Sequence, residues 1–210
     1  TVVCVPASGA TFAKGTNTVT CTATDGSGNT NSCNFTVTVN DTESPAITCS
    51  PVNVQCAGDV PPVGTNTVTV SDNCPGVTLT WLGDTTNTLG CVNHFAILRT
   101  YKATDASGNT NGCTQTITVN DTTPPVALCT NITVDLNADG LTFITAADVN
   151  RGSYDNCFGA VNLSLSRTIF GCGRIGPNTV TLTVVDQCGN SNSCAATVTV
   201  RDVTAPAISC

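Results

Sequence analysis

The sequence predicts an all-β chain of tandem immunoglobulin-like sandwiches, joined end to end and stapled by disulfides. Three observations predict it. Thr is the commonest residue, with Val, Asn and Gly also heavily used, a mix that favours strands and turns over helices. There are 14 cysteines in 210 residues, with no CxxC and no His at finger spacing, so they read as disulfides rather than zinc ligands. The chain also repeats itself. Cys33, Cys113 and Cys194 step by 80 and 81, as do Cys49, Cys129 and Cys210, and Asp25, Asp105 and Asp186. A period near 80 is too long for a solenoid unit and suits a small sandwich.

The middle copy shows the strands most clearly. Residues 45–54 open it as strand A, and "NTVTV" (66–70) alternates and gives B. "VTLTWL" (77–82) gives C and "FAILRTYK" (95–102) gives F. "ATDASGNTNG" turns the chain, and "CTQTITV" (113–119) returns as G. Alternating Val or Ile with Thr marks a half-buried strand, and the turn's Gly supplies positive φ. "ADGLTF" (138–143) reads as a turn. The predicted domains are 1–43, which lacks its first strands, then 44–123 and 124–203. Residues 204–210 form the first strand of a further repeat or a donated strand.

The string "GTNTVTCTATDGSGNTNSCNFTVTVNDTESPAITC" (15–49) strongly resembles the HYR (hyalin repeat) domain. The second and third copies look like HYR-related repeats of bacterial-type extracellular surface proteins. They are less typical at "GDTTNTLGCVNH" (83–94) and "AADVNRGSYDNC" (146–157). The resemblance covers essentially the whole chain. It implies an immunoglobulin-like fold, an extracellular or cell-surface location and a link with cell adhesion, and it carries over no catalytic residue.

Composition narrows the function. A net charge of −7 argues against nucleic acid, which needs clustered Lys and Arg. No apolar run approaches the roughly 18 residues of a membrane span. No G-x-S-x-G occurs, and the single His94 lacks partners for catalysis or metal, so no enzyme is expected. Trp81 in strand C is expected in the core, an exposed sugar-stacking platform being the alternative.

The chain opens on Thr1 and reads as mature or cut from something longer. Two explanations for its ends stay open. It is an excerpt of a longer array, or its last strand completes the first domain of the next copy by β-augmentation, which builds a head-to-tail homopolymer. A missing strand B counts against the second, because one strand cannot replace two.

Strands A and G run side by side in such a sandwich, which predicts Cys49–Cys113 and Cys129–Cys194. Cys74–Cys91 and Cys157–Cys172 would close the loop around strand C, and Cys4–Cys21 would link two strands of the first copy. Cys56 and Cys188 fall at abutting domain ends and predict an inter-domain bond. Cys33 and Cys210 lack partners within their own domains, which predicts a Cys33–Cys210 bond between subunits, or bonds to residues beyond this stretch.

Each junction gathers carboxylates. Asp41, Asp72 and Asp105 meet at the first and Asp121, Asp155 and Asp186 at the second, a set that suits structural calcium. The alternative is that Asp25, Asp105 and Asp186 make Asx turns. No other cofactor is implied. Sequons stand at Asn34, Asn40, Asn120, Asn131 and Asn162. The sequence thus predicts a non-enzymatic subunit or stalk of an extracellular filament or surface adhesin, with a ligand- or glycan-binding adhesion module as the rival.

Overall fold

The computed structural model describes residues 1–64, 67–206 and 208. The chain divides into two compact units, and the division falls inside the second repeat. One unit is 1–48, 69–80 and 101–113; the other is 49–68, 81–100 and 114–210.

The first unit opens with β1 (Val2–Val5), β2 (Gly15–Thr24) and β3 (Thr30–Val39), an antiparallel sheet in that order. These are the C, F and G positions of a sandwich. Val19 is buried, but Val2 and Phe35 on the same face stay exposed, as do Val3 and Val5 on the opposite face, so the sheet's apolar residues are only partly covered.

The second repeat supplies β4 (Ala46–Cys49), β5 (Val52–Val54), β6 (Val68–Ser71), β7 (Thr78–Thr88), β8 (His94–Thr104) and β9 (Thr110–Asn120). Strand A of the sequence reading is two strands. Pro51 has no N–H to give a ladder, and the chain changes sheets there: β4 pairs with β6, while β5 joins the sheet β5-β9-β8-β7. Strand B begins at Val68; the expected start at 66 lies outside the described residues. The F–G turn is shorter than read, because β9 already begins at Thr110.

Trp81 is corrected. It is 48% exposed on β7, and its Nε1 donates to Asp84 Oδ1 at 2.9 Å. The buried aromatic of this repeat is Tyr101 on β8. Arg99, 5% exposed, grips Asp84 through Nε (3.0 Å) and Nη2 (2.9 Å) and donates to the Pro61 carbonyl. That pairing with Arg99 holds the Asp84 carboxyl below its ordinary value.

The third repeat holds β10 (Ile132–Asp135), β11 (Leu141–Phe143), α1 (Ala146–Val149), β12 (Asn162–Leu165), β13 (Ile169–Gly171), β14 (Gly176–Val185) and β15 (Ser191–Arg201). One sheet runs β10-β15-β14-β12 and the other β11-β13. β10 runs parallel to β15 as β5 does to β9, the first-to-last pairing of an immunoglobulin-like sandwich. Side chains alternate across a sheet, so Val180, Leu182 and Val184 of β14 and Ala196, Val198 and Val200 of β15 bury one face. Leu136, Ile144, Val149 and Phe170 close that core. The stretch 138–143 is half turn, half strand, since β11 starts at Leu141. The short helix α1 was not expected; Thr145 and Asp148 form a capping box at its start.

Candidate functional site: the repeat junctions

The phrase Asp-x-Ser/Cys-Gly-Asn builds the same turn three times. Asp105 Oδ1 accepts the Ser107 and Asn109 N–H groups at 2.8 Å, and Oδ2 accepts Asn109 Nδ2 at 2.8 Å. Asp25 and Asp186 repeat this with Ser27 and Asn29, and with Cys188 and Asn190. Gly28, Gly108 and Gly189 take φ of +87°, +90° and +90°, which other residues rarely adopt. Asp25 and Asp105 are held below the ordinary carboxylate value. For Asp25 the Asn29 side chain is the main cause. For Asp105 burial pulls upward, but the Asn109 and backbone donors outweigh it.

Beyond shaping the turn, its asparagines clamp the linker that enters the repeat. Asn109 Nδ2 donates to the Asp41 carbonyl (3.2 Å) and Asn111 Nδ2 to the Pro45 carbonyl (3.0 Å). Asn190 and Asn192 do the same to Asp121 (3.1 Å) and Pro125 (3.0 Å). The Asp-x-x-x-Pro linker is thereby held at both ends. The sequence reading missed this, although "GNTN" and "GNSN" recur at the repeat period.

Carboxylates gather at each linker. At the first, acceptor atoms of Asp41, Asp72 and Cys74 lie within 4.8 Å of one another. Asp41 Oδ2 accepts Ser107 Oγ at 2.9 Å, and Lys14 Nζ stands 4.0 Å from it while donating to the same serine. At the second, Asp121, Asp155 and Cys157 make the equivalent group, and no Lys or Arg is recorded in an ion pair with these acids among the described residues. One buried oxygen accepts no hydrogen bond at each, Asp72 Oδ2 and Asp155 Oδ1, while the other oxygen of each receives a backbone N–H. Asp105 and Asp186 belong to neither group, and their oxygens are committed to the turns.

Asp121 is raised above the ordinary carboxylate value, by burial first and then by the charges of Asp155 and Asp186. A carboxyl raised in the fold contributes stability that is complete below about pH 4 and is lost as pH rises through its folded value. Asp121→Asn keeps an acceptor for the Thr123 N–H and removes the charge. Without divalent cations its Tm at pH 7 should therefore rise by a few degrees, and its Tm difference between pH 4 and pH 7 should shrink. A lower Tm than the parent at pH 7 would contradict this.

The cysteines need several corrections. Cys4–Cys21 and Cys129–Cys194 are bonded, with Cα separations of 4.0 and 5.9 Å, and Cys49 and Cys113 are each in a disulfide. Cys56 is bonded to Cys157, not Cys188, and Cys188 to Cys91. Cys74–Cys91 does not form because the eleven-residue β7 stands between them. Such a strand spans about 35 Å, whereas bridged Cα atoms lie within about 7 Å. Cys157–Cys172 does not form either: Cys157 is bonded to Cys56, and Cys172 Sγ rests 3.6 Å from the Gly140 carbonyl. Cys33, Cys74 and Cys172 are free. Burial, then the adjacent Asp41, pushes the Cys74 thiol up. The expected Cys33–Cys210 bond falls partly outside the described residues, at Cys210. All five sequon asparagines are exposed, and Asn131 Oδ1 accepts the Thr197 N–H.

Comparison with known proteins accords with the repeats. Residues 1–39 match the model of the HYR domain. Over 218 aligned residues the chain is 36% identical to Hyalin of Strongylocentrotus purpuratus, covering 92% of this chain and 17% of that protein. These two findings support a place in the HYR family; they lend no support to the narrower likeness to bacterial surface proteins. Among solved structures, the protocadherin gammaB7 EC3-6 cis-dimer aligns at TM-score 0.34 and 18% identity over 89% of this chain and 58% of that one. The human desmocollin-1 ectodomain aligns at 0.34 and 12% over 95% and 53%. The chain thus spans about a sixth of Hyalin and little more than half of these structures, and likenesses this distant assign no function.

Proposed function

We propose that the chain is a non-enzymatic, extracellular segment of a structural or adhesive protein, its HYR-like repeats serving as a stiff spacer. The observation that carries this is the second junction, where two disulfides and two asparagine clamps tie one repeat to the next. Staples of this kind belong to oxidising, extracellular compartments, and they resist extension and proteolysis. Among the described residues no helix is long and apolar enough to cross a membrane.

In the finer form of this reading, copies associate head to tail into a filament. A strand from one copy completes the uncovered β1-β2-β3 sheet of the next. Support comes from the exposed Val2 and Phe35 on one face of that sheet and from the tendency of open sheet edges to recruit strands. Electron microscopy of native material tests it: fibres with an axial repeat of a few domains are expected, and monodisperse particles at all concentrations would exclude the filament.

Calcium is the second element. Asp121 and Asp155 offer uncompensated carboxylate oxygens to a hard cation. The Cys157 sulfur, being in a disulfide, offers no thiolate. At the first junction Lys14 already balances Asp41, so of these two groups the second is expected to bind the ion more strongly, and Asp121→Asn should abolish that site. Calcium should raise the Tm of the parent and not of the variant; an identical Tm in calcium and EDTA would remove the ion from the picture. Exposed sequons and Thr side chains are candidate sites for sugars, which mass spectrometry checks.

One observation favours the rival adhesion-module reading. Trp81 lies exposed beside the Asp84–Arg99 pair, as a sugar-stacking side chain would. Glycan-array binding lost in Trp81→Ala would support that reading.

A further inference from the structure

Each free cysteine among the described residues has a repeat equivalent that is bonded. Cys33 matches Cys113 and Cys194, and Cys194 bonds within its own repeat. Cys74 matches Cys157 within the shared Asp-Asn-Cys, and Cys172 matches Cys91, each just ahead of an F-type strand. These last two equivalents bond across a repeat boundary. Cys157 reaches back to Cys56, just beyond the parallel strand β5 of the preceding repeat, with Cα atoms 4.9 Å apart. Cys91 reaches forward to Cys188 in the turn of the following repeat, at 5.1 Å. Two kinds of rung therefore join neighbouring repeats.

The surroundings repeat along with the cysteines. Cys74 lies with Asp41 and Asp72 as Cys157 lies with Asp121 and Asp155. Its backbone N–H donates to Asp72 as that of Cys157 does to Asp155. One rung is absent at both of its ends. Thr11 holds the place of Cys91 in the first copy and Ser107 the place of Cys188 in the second.

We propose that Cys74 and Cys172 are half-rungs, each bonding covalently to a neighbouring HYR-like repeat. Cys74 takes a cysteine just past the parallel strand of the repeat that precedes its own, in the place of Cys56. Cys172 takes a repeat behind it that carries a cysteine in an Asp-x-Cys-Gly-Asn turn, in the place of Cys188. Closing a rung removes one proton from each thiol and passes two electrons to a disulfide oxidant of the glutathione class, which leaves as two thiols. Cys33 is not a half-rung, because its equivalent Cys194 bonds within its own repeat. The inference rests on repeat equivalence alone and is separate from the adhesive and calcium readings.

Native protein alkylated during extraction without reductant, then peptide-mapped, is the test. Cys172 should be joined to a peptide with the Asp-x-Cys-Gly-Asn turn, and Cys74 to a cysteine that follows a strand. Recovery of either as an alkylated thiol, a glutathione adduct or a bond to an unrelated sequence would overturn the proposal. Gels with and without reductant separate the two sources: the mass falls on reduction if the partner is a second chain and stays if it lies in the same polypeptide. A second variant checks that rungs are a fixed feature of the junction. Positions 11 and 107 are the repeat equivalents of Cys91 and Cys188, so Thr11→Cys with Ser107→Cys should close the missing rung and map as a new 11–107 crosslink. A correctly folded double variant that keeps both thiols would count against it.

Discussion

Replacing Cys56 and Cys157 together by alanine is expected to cost about 4 kcal/mol of stability, in a protein where the whole margin is about 5–15 kcal/mol. The bond links residues 101 positions apart, so it removes a large loop from the unfolded ensemble. Cys91–Cys188 overlaps it and shortens the free path between the two residues to about 65 residues. The cost depends only on the logarithm of that length, so the second rung spares little. Asn156 Nδ2 also points at both sulfurs, at 3.4 and 3.3 Å, and loses both partners. Calorimetry should show a Tm lower by roughly 10 °C, with Cys91–Cys188 still mapping as bonded. An unchanged Tm would mean that the rung constrains nothing the fold does not already constrain.

The error in the cysteine reading has a physical cause. Period and strand type were legible because they are local: alternation in "CTQTITV" or "TVTLTVV" sets which faces are buried, whatever lies far away in sequence. Cys129–Cys194 followed from strand adjacency within one sandwich. Partners across a junction depend on which end of a sandwich each loop reaches, and that depends on strand length. Strand C was read as six residues, whereas β7 has eleven, and the extra length carries Cys91 away from Cys74. The place of the stapling was readable from Cys56 and Cys188; the exchange of partners between them was not.

The acidic cluster shows a similar limit. Aspartates at the repeat period could be turn formers or ligands, and residue type alone does not separate the two. Hydrogen bonds do: Asp105 and Asp186 spend both oxygens on their turns, whereas Asp72 and Asp155 each keep one buried oxygen unused. Trp81 was misplaced because a strand-C tryptophan is expected to pack inward. Here the Asp84 carboxylate, itself fixed by buried Arg99, satisfies the indole N–H at the surface.

Phe170→Ala should cost about 3–5 kcal/mol through a different route. Phe170 is 1% exposed and packs with Leu136, Ile144, Val149, Val180 and Leu182 in the third repeat's core. Its β13 pairs with β11, Thr142 opposite Phe170, so this ring, with Ile144 just after β11, ties the two-stranded sheet to the core. Truncation leaves a cavity that the six-residue span of paired backbone cannot fill without leaving its register. The Tm should fall by about 10 °C, and limited proteolysis should cut first between β12 and β14. Neither Cys56 nor Cys157 belongs to this cluster. If core and rung are independent, the costs of Phe170→Ala and of the double cysteine variant should add within about 0.5 kcal/mol. A combined cost that departs from the sum by more than about 1 kcal/mol would mean that the rung acts through the core of the third repeat, and that tension on one junction is felt inside the sandwich beside it.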